Sequence, residues 1–367
     1  MDLPYTYRFM HRKNDLVSLI PIYLATFLYV LVSVQVYVFL QDSISKGNAY
    51  NTLQAIGAIV LGYASDKLCR RKMCLFTHAA GLGLFFLMFL FPGAFFFTLL
   101  FGFVYNPLPI LLAGLVDNLP GYSKVKLISF SFAIQFVPWC FYDKFVLFEK
   151  NTAIYLSFAA LLIGLAVIWF LFFYKRDKIH GRLFQLNFRH FIHPEMKRRF
   201  FFTLFAFFPA QLVYFFSENL IATYSENPLF YSIISFGSVL GALVSALYKK
   251  TPHASVLTIN YGINMILATI PITCLYIYDF KEISIPLQFM IFATLGGFGI
   301  PFVYDIILNA VDGNFRGTAC GLLDFIYSVS SFVNLFLFGF FNIHLLLAFS
   351  TIAACFAIST GLQKRTE

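Results

Sequence analysis

Carboxyl groups inside long apolar stretches are the side chains of this sequence that are the strongest candidates for a chemical role. Asp324 lies about eight residues into an apolar run that begins near 316, roughly 12 Å at the helical rise. Tyr327, Ser328 and Ser331 follow at i+3, i+4 and i+7, on the same helical face. An ionisable group inside a membrane helix costs at least about 2.5–3.5 kcal/mol, so it indicates a function.

Asp324 has no candidate cation to pair with, because no Lys or Arg lies well inside any apolar run. Burial without such a partner favours the neutral form of a carboxyl. A group of this kind can take up a proton on one side of a membrane and release it on the other. We therefore predict proton coupling through Asp324; the alternative is a protonated Asp324 that only hydrogen-bonds a neighbouring helix. Glu218 and Asp305 lie nearer the ends of their runs, where they serve either proton coupling or contact with interfacial water.

Further polar side chains recur inside the apolar runs. Such stripes either line a solute cavity or join helices by hydrogen bonds. Buried cations usually hold organic phosphates and similar anions, so their absence argues for a neutral or cationic solute. Besides the three residues that follow Asp324, the candidates for solute binding are Gln35, Asn106, Gln135, Trp139, Gln211 and Tyr214.

One short stretch, Gly62–Lys72, concentrates charge in a chain of which only 12% is charged. Residues 66–72 hold one carboxylate, Asp66, and the cations Lys67, Arg70, Arg71 and Lys72. Cations at helix ends fix membrane orientation. A lone acid among them serves orientation poorly, so we predict that Asp66 forms a gating contact.

Other chemistries have little support in the sequence. The formal net charge is +9, but the basic residues lie in short loops and no nucleic-acid-binding pattern occurs. No metalloprotease, nucleophile-elbow or phosphate-binding-loop motif is present, so we expect no enzyme. We also expect no cofactor, no metal and no nucleic-acid partner.

The elements that must position these residues are membrane helices. The 367-residue chain is 60% apolar, more than a soluble core can hide. The fold class is therefore an all-α membrane protein, because the runs are long and continuous rather than alternating. Twelve segments are long enough to span a bilayer: 16–40, 50–66, 73–91, 93–116, 125–148, 151–174, 200–220, 228–248, 254–278, 284–310, 316–340 and 343–362.

The one long connection divides the predicted helices into two sets of six. It covers 175–199 and is strongly basic, so residues 1–174 and 200–367 form two bundles joined by a linker. We interpret the linker as cytoplasmic and in contact with the lipid surface; a specific site for anionic lipid is the alternative. With both termini in the cytoplasm, all but four of the 26 Lys and Arg residues fall on the inner side, as the positive-inside rule requires.

The two halves contain two short stretches of similar sequence. The run Gly241–Lys250 aligns with Gly62–Arg71, with Ser245 at the place of Asp66. A second similarity relates residues 119–123 to residues 315–319. Two repeated stretches that occur in the same order in both halves indicate that the halves are parallel repeats.

The Gly62–Lys72 stretch, placed after the second apolar segment, resembles the loop between helices 2 and 3 of the major facilitator superfamily. That pattern has Gly, then Asp, then basic residues, which fall here on Gly62, Asp66, Lys67, Arg70 and Arg71; Cys69 departs from the usual Gly. A further run, Arg316-Gly317-Thr318-Ala319-Cys320-Gly321, is similar to the start of that family's helix 11, and Asp117 resembles the acid that ends its helix 4.

The resemblance implies two pseudo-symmetric bundles that alternate access to a central site. It implies that Asp66 faces the start of helix 11 at Arg316-Gly317, and that Arg70 or Arg71 meets Asp117. For Arg71 and Lys72 a role in topology alone is favoured. The family's cavity is built from helices 1, 4, 5, 7, 10 and 11, which favours solute binding by the polar stripes. The Arg that many members use in helix 4 is missing, and so is the Gly-Pro pattern of drug antiporters in helix 5.

These observations predict a secondary active transporter that moves a small neutral or cationic solute, with proton coupling as a hypothesis. A transporter-like receptor or scaffold without transport is the alternative. We expect the solute, protons and membrane lipid as partners, a monomeric state, and a plasma or inner membrane location.

Overall fold

The structure is a computed structural model. It describes residues 5–40, 44–91, 93–118, 123–174, 191–224, 229–253 and 284–340, with short helical pieces between 256 and 267. Within these residues the chain is almost entirely helical, and extended backbone pairs only at an isolated antiparallel bridge between Ile192 and Val311.

Twelve α-helices are described. Short 3-10 turns cover Pro138–Phe141, Pro194–Met196 and Gly313–Phe315. The helices are α1 Tyr5–Leu40, α2 Ile44–Lys67, α3 Arg70–Leu90, α4 Phe95–Val104, α5 Leu108–Asn118, α6 Lys124–Phe136, α7 Tyr142–Leu147, α8 Lys150–Tyr174, α9 Lys197–Tyr224, α10 Leu229–Ser245, α11 Ser284–Ala310 and α12 Arg316–Phe340. Two of the predicted membrane segments are each divided into two helices, α4 with α5 and α6 with α7.

The predicted segments match the described helices closely at several places. The predictions 284–310 and 316–340 coincide with α11 and α12, whereas α1 begins at Tyr5, earlier than the predicted 16. The predicted segment 343–362 and most of 254–278 lie outside the described residues. Most of the 175–199 linker lies outside them as well. The count of twelve spans and the division into two sets of six therefore stay predictions.

Two segments predicted as continuous helices are interrupted. The segment 93–116 breaks at Tyr105-Asn106-Pro107 between α4 and α5, and the segment 125–148 breaks at a 3-10 turn that begins at Pro138. Proline lacks the N–H that an uninterrupted helix needs and disfavours helical backbone in the residue before it. By contrast α1, α9 and α11 continue through internal prolines, as membrane helices often do.

Several described stretches have the length and composition of membrane spans. Apolar side chains on α8 are well exposed, Leu162 by 44% and Trp169 by 52%, which suits a lipid-facing helix and would be unfavourable in water. By length and composition, six stretches of the described residues can cross a membrane: Leu19–Leu40, Arg70–Leu90, Phe95–Asp117, Lys124–Leu147, Asn151–Phe170 and Phe289–Ala310.

The apolar core is built in two main clusters. One joins side chains of α1, α3, α4 and α8, including the fully buried Phe101 and Tyr105. The other joins α5, α6, α9, α10, α11 and α12, including Phe207 and Phe292. Among the described helices, α10 with α11 and α2 with α12 have the most extensive contacts. The second pair joins one predicted half to the other.

Candidate functional site

Asp66, at the end of α2, caps the start of α12. Its carboxylate accepts hydrogen bonds from the backbone N–H groups of Gly317 at 2.8 Å and Thr318 at 2.6 Å, and from the Thr318 hydroxyl at 2.7 Å. The first N–H groups of a helix have no partner within it, and they carry about half a positive charge. The fully buried carboxylate of Asp66 therefore satisfies both the hydrogen bonds and the charge of this helix end.

Asp117, at the end of α5, lies between two guanidinium groups. Arg70 contacts one of its oxygens at 2.6 Å, and Arg316 donates to the other at 2.5 Å. Arg70 also contacts the Asp66 carboxylate at 3.1 Å. Four charged side chains from α2, α3, α5 and α12 thus alternate in sign. We call Asp66, Arg70, Asp117, Arg316 and the first turn of α12 the charge network.

Glycines allow the two helices of the charge network to approach closely. A Cβ atom on Gly62 would overlap the Gly317 carbonyl oxygen, and a Cβ on Gly317 would overlap the Ser65 hydroxyl and the Gly62 carbonyl. Backbone of α2 therefore lies directly against backbone of α12, and this brings Asp66 within reach of the free N–H groups.

The other cations of the Gly62–Lys72 stretch differ from Arg70. Lys67 is exposed, and its ammonium group lies 4.6 Å from the centre of the Tyr63 ring. Arg71 and Lys72 continue the first turn of α3, where Lys72 is exposed. Of the two arginines expected near Asp117, Arg70 makes the described contact.

The second copy of the motif forms a neutral version of this arrangement. Ser245, at the end of α10, donates to the Ser129 hydroxyl of α6 at 2.7 Å. Ser123, at the start of α6, donates to the Lys249 carbonyl at 2.8 Å, and Lys124 donates to Asn309 of α11 at 2.6 Å. Both copies therefore join a helix of the first predicted half to a helix of the second.

Asp324 lies on α12 and is paired with a phenol. The Tyr304 hydroxyl of α11 donates to the Asp324 carboxylate at 2.6 Å. The Tyr304 ring packs edge to face on Phe132 of α6, with the ring centres 4.8 Å apart. Tyr304 is the hydrogen-bond partner of Asp324 among the described residues.

A second polar cluster lies in the first half. The Tyr29 hydroxyl donates to Asn106 at 3.1 Å, and Gln54 donates to the Tyr29 hydroxyl at 2.7 Å. Asn106 lies in the break between α4 and α5, so the proline there places this side chain. The hydroxyls of Tyr50 and Tyr105, buried nearby, have no hydrogen-bond partner among the described residues.

The remaining predicted solute-binding residues of the first half lie against other helices. Gln35 accepts a hydrogen bond from Ser157 of α8, so it joins two helices. Gln135 donates to Ser131 of its own helix at 3.5 Å. The Trp139 ring lies between those of Tyr37 and Tyr142.

In the second half the structure separates some of the candidates. Gln211 is buried, and its carbonyl oxygen has no hydrogen-bond partner in the described part of the chain. The Tyr214 ring stacks on Phe292. The Tyr327 ring, on the same face as Asp324, packs on Phe215 of α9. Ser328 is half-buried on α12. The side chains of Glu218 and Ser331 lie outside the described part.

Asp305 occupies a different place from Asp324. It lies near the end of α11, is 5% exposed, and accepts a hydrogen bond from Thr251 beyond α10. Its neighbours are Lys124 and Arg199, so it belongs to the same end of the molecule as the charge network.

The sequence analysis did not single out several residues of the charge network, of the Tyr29 cluster and of the surroundings of Asp324. Thr318, whose hydroxyl adds a third hydrogen bond to Asp66, stands inside a motif that had been recognised. Tyr29, Gln54 and Tyr304 are single polar residues in apolar runs, and nothing in their spacing distinguishes them from residues that only pack.

The comparisons with known proteins rest on structure alone. No protein-family model matches the sequence, and no curated protein matches it. The crystal structure of the human organic anion transporter MFSD10 (TETRAN) superposes with a TM-score of 0.67 at 11% sequence identity, covering 95% of this chain and 98% of that one. At such low identity the likeness establishes the fold. The chain is therefore a multi-pass integral membrane protein with the fold of the major facilitator superfamily.

Proposed function

We propose that the protein is a secondary active transporter that moves a small solute across a membrane by alternating access. The observation that carries this proposal is the charge network. It joins α2, α3 and α5 to α12 through contacts between side chains and one helix end. A receptor or scaffold, which is the alternative function, has no need for a contact that opens.

The chemistry of the charge network suits a reversible closure. Each charged group has a partner of opposite sign in the closed arrangement and would have water after the helices separate. The free energies of the two arrangements then differ by only a few kcal/mol, so a bound solute can shift their populations.

The solute that fits the interior best is neutral or cationic. The carboxylate of Asp324 has a phenol as its described partner, and no Lys or Arg of the sequence lies well inside an apolar run. The structural neighbour is described as an organic anion transporter. Anions are therefore a second candidate class, favoured by that likeness and disfavoured by the charge of the interior.

Proton coupling is part of the proposal. The Asp324 carboxyl, hydrogen-bonded to Tyr304, would exchange its proton with whichever side of the membrane the cavity faces. The energy would come from a proton or solute gradient, because the sequence holds no nucleotide-binding motif.

The test is transport by purified protein in liposomes, with a panel of labelled neutral, cationic and anionic solutes. Saturable uptake that a pH gradient accelerates is the expected result. The matched control is a Ser129→Cys/Ser245→Cys variant, in which an oxidised cysteine pair would hold α6 against α10. Oxidation should stop uptake and reduction should restore it. If no solute class exchanges across the membrane in either state, the receptor or scaffold function is the better interpretation.

A further inference from the structure

A strongly basic cavity of about 310 Å³ lies at the end of the molecule that also carries the charge network. It is formed where α6 and α9 begin, where α11 ends, and along the segment that follows α10. Its volume is at the lower limit for small-molecule sites, enough for a compact polar group. The lining residues are Lys124, Val125, Met196, Arg199, Lys249, Lys250, Thr251, Asp305, Ile306 and Asn309.

The lining carries an excess of positive charge. Lys124, Arg199, Lys249 and Lys250 supply four cations against the single carboxylate of Asp305. Lys249 and Lys250 are exposed at the mouth, whereas Nε of Arg199 is buried and has no hydrogen-bond partner among the described residues. A buried guanidinium N–H without an acceptor is costly, and a bound anion would satisfy it.

The acceptors of the cavity lining, Asp305 and Asn309, are fewer than the N–H donors of its Lys and Arg side chains. Asp305 accepts from the Thr251 hydroxyl. Lys124 spends one of its three N–H donors on the Asn309 side chain at 2.6 Å. Cations therefore lie on both sides of the cavity, Lys124 on α6 and Arg199 on α9, and Nε of Arg199 has no acceptor among the described residues.

We propose that this cavity binds a phosphate group, carried either by an acidic phospholipid or by a soluble phosphate compound. Arginine and lysine together form the usual protein partners of phosphate. A basic pocket between membrane helices on the cytoplasmic side is also a typical place for an acidic headgroup. The basic-residue count places this end of the molecule in the cytoplasm.

The position of the cavity gives the bound phosphate a structural role. Lys124 belongs to the first predicted half and Lys249 and Lys250 to the second, while Arg199 ends the predicted linker in the first turn of α9. The halves already touch here through the Ser123 hydroxyl and the Lys249 carbonyl. A phosphate between these cations would add a bridge beside that contact and favour the arrangement in which this end is closed. The site is separate from Asp324, so its occupation can be measured without knowing the solute.

The experiment is thermal unfolding of the purified full-length protein in detergent with phosphatidylcholine. One arm adds phosphatidic acid in place of part of the phosphatidylcholine. The other adds inorganic phosphate against sodium chloride of equal ionic strength, because screening alone changes protein stability. A rise in Tm of about 2–4 °C is expected for saturating ligand. A rise with lipid only assigns a headgroup, a rise with phosphate only assigns a soluble compound, and no rise in either arm overturns the proposal.

Paired variants separate the cavity from general surface attraction. Lys249→Gln/Lys250→Gln should remove most of the Tm rise. The control Lys197→Gln/Arg198→Gln removes the same charge from two exposed residues that do not line the cavity, and it should keep the rise. Equal responses in both variants would mean that any basic surface suffices, and the proposal would then be wrong. If the double change at the cavity reduces folding, Lys250→Gln alone should still lower the response more than Arg198→Gln alone.

Discussion

At the scale of single residues, the two central carboxylates differ in the partners that surround them. Asp66 accepts hydrogen bonds from two backbone N–H groups and a hydroxyl, and it contacts a guanidinium group. Asp324 has a phenol as its described partner. Burial raises the pKa of Asp66, while the guanidinium group of Arg70 and the donors of Gly317 and Thr318 stabilise its anion. For Asp324, a change of protonation is our proposal.

Asp66→Asn should loosen the closed end of α12. The substitution keeps the shape of the side chain but removes the charge that faces the helix N-terminus, an interaction worth up to about 2 kcal/mol when partly buried. The native Cys320, fully buried two residues beyond Thr318, reports the opening. In a variant with Cys320 as its one cysteine, a thiol reagent should react about tenfold faster for each 1.4 kcal/mol lost.

The matched control is Glu195→Gln, which removes an exposed acid at the start of the second half. Its labelling rate should equal that of the wild type. Unchanged labelling in Asp66→Asn would leave membrane orientation as the only role of this stretch.

Asp324→Asn should separate solute movement from proton movement. Asparagine keeps an acceptor for the Tyr304 hydroxyl but cannot cycle a proton. In liposomes we expect exchange of solute at equilibrium to persist, while accumulation driven by a pH gradient is lost. Tyr304→Phe is the companion variant, which removes the hydrogen bond and keeps the titrating group. Accumulation by Asp324→Asn under a pH gradient would show that the proton travels elsewhere.

At the scale of elements, close backbone contact and helix breaks place the functional side chains. Gly62 and Gly317 let α2 and α12 touch, and Gly321 extends the contact against Ala58. The break after α4 turns Asn106 toward Tyr29 and Gln54. The small size of the glycines in α2 and α12 is therefore as important for this contact as the chemistry of the polar side chains that it brings together.

Gly317→Ala should destabilise the contact between α2 and α12. The added methyl group would overlap Ser65 and the Gly62 carbonyl, and overpacking of this kind costs about 1–3 kcal/mol. We expect a lower Tm and faster labelling of Cys320. Gly83→Ala is the control, because no atom lies within 4 Å of the added Cβ. A fall in Tm as large in Gly83→Ala as in Gly317→Ala would contradict the packing argument.

At the scale of the whole molecule, the distribution of basic residues predicts how the chain is oriented in the membrane. The charge network and the basic cavity occupy the same end, where the sequence also places most cations. The four basic residues assigned to the opposite side are Lys46, Lys144, Lys150 and Lys281.

This arrangement predicts a labelling pattern in intact cells. A single cysteine introduced at Gln185 should resist a thiol reagent that cannot cross the membrane, and a single cysteine at Lys281 should react. Permeabilised cells provide the control, since both positions should then react. The reverse pattern would contradict the predicted topology.

The sequence by itself determined the membrane class and the positions of several helices, and it predicts an orientation. These properties follow from local composition, because a bilayer requires a long apolar run for each span and cations near its cytoplasmic ends. The resemblance to a known family pattern also implied that Asp66 faces the start of α12 and that Arg70 or Arg71 meets Asp117, and the structure contains the first contact and the one of Arg70. The contact between Arg316 and Asp117 was not predicted.

Only the tertiary structure decided which polar side chains meet. Asp66 and Gly317 are 251 residues apart, and the Tyr304 partner of Asp324 comes from another helix. Gln35 and Asn106 are both amides inside predicted apolar runs, yet the first joins α8 and the second joins Tyr29. The physical reason is that helix rotation and crossing depend on packing between distant segments. A one-dimensional pattern fixes which face of a helix is polar, whereas the neighbour across that face is set by the fold.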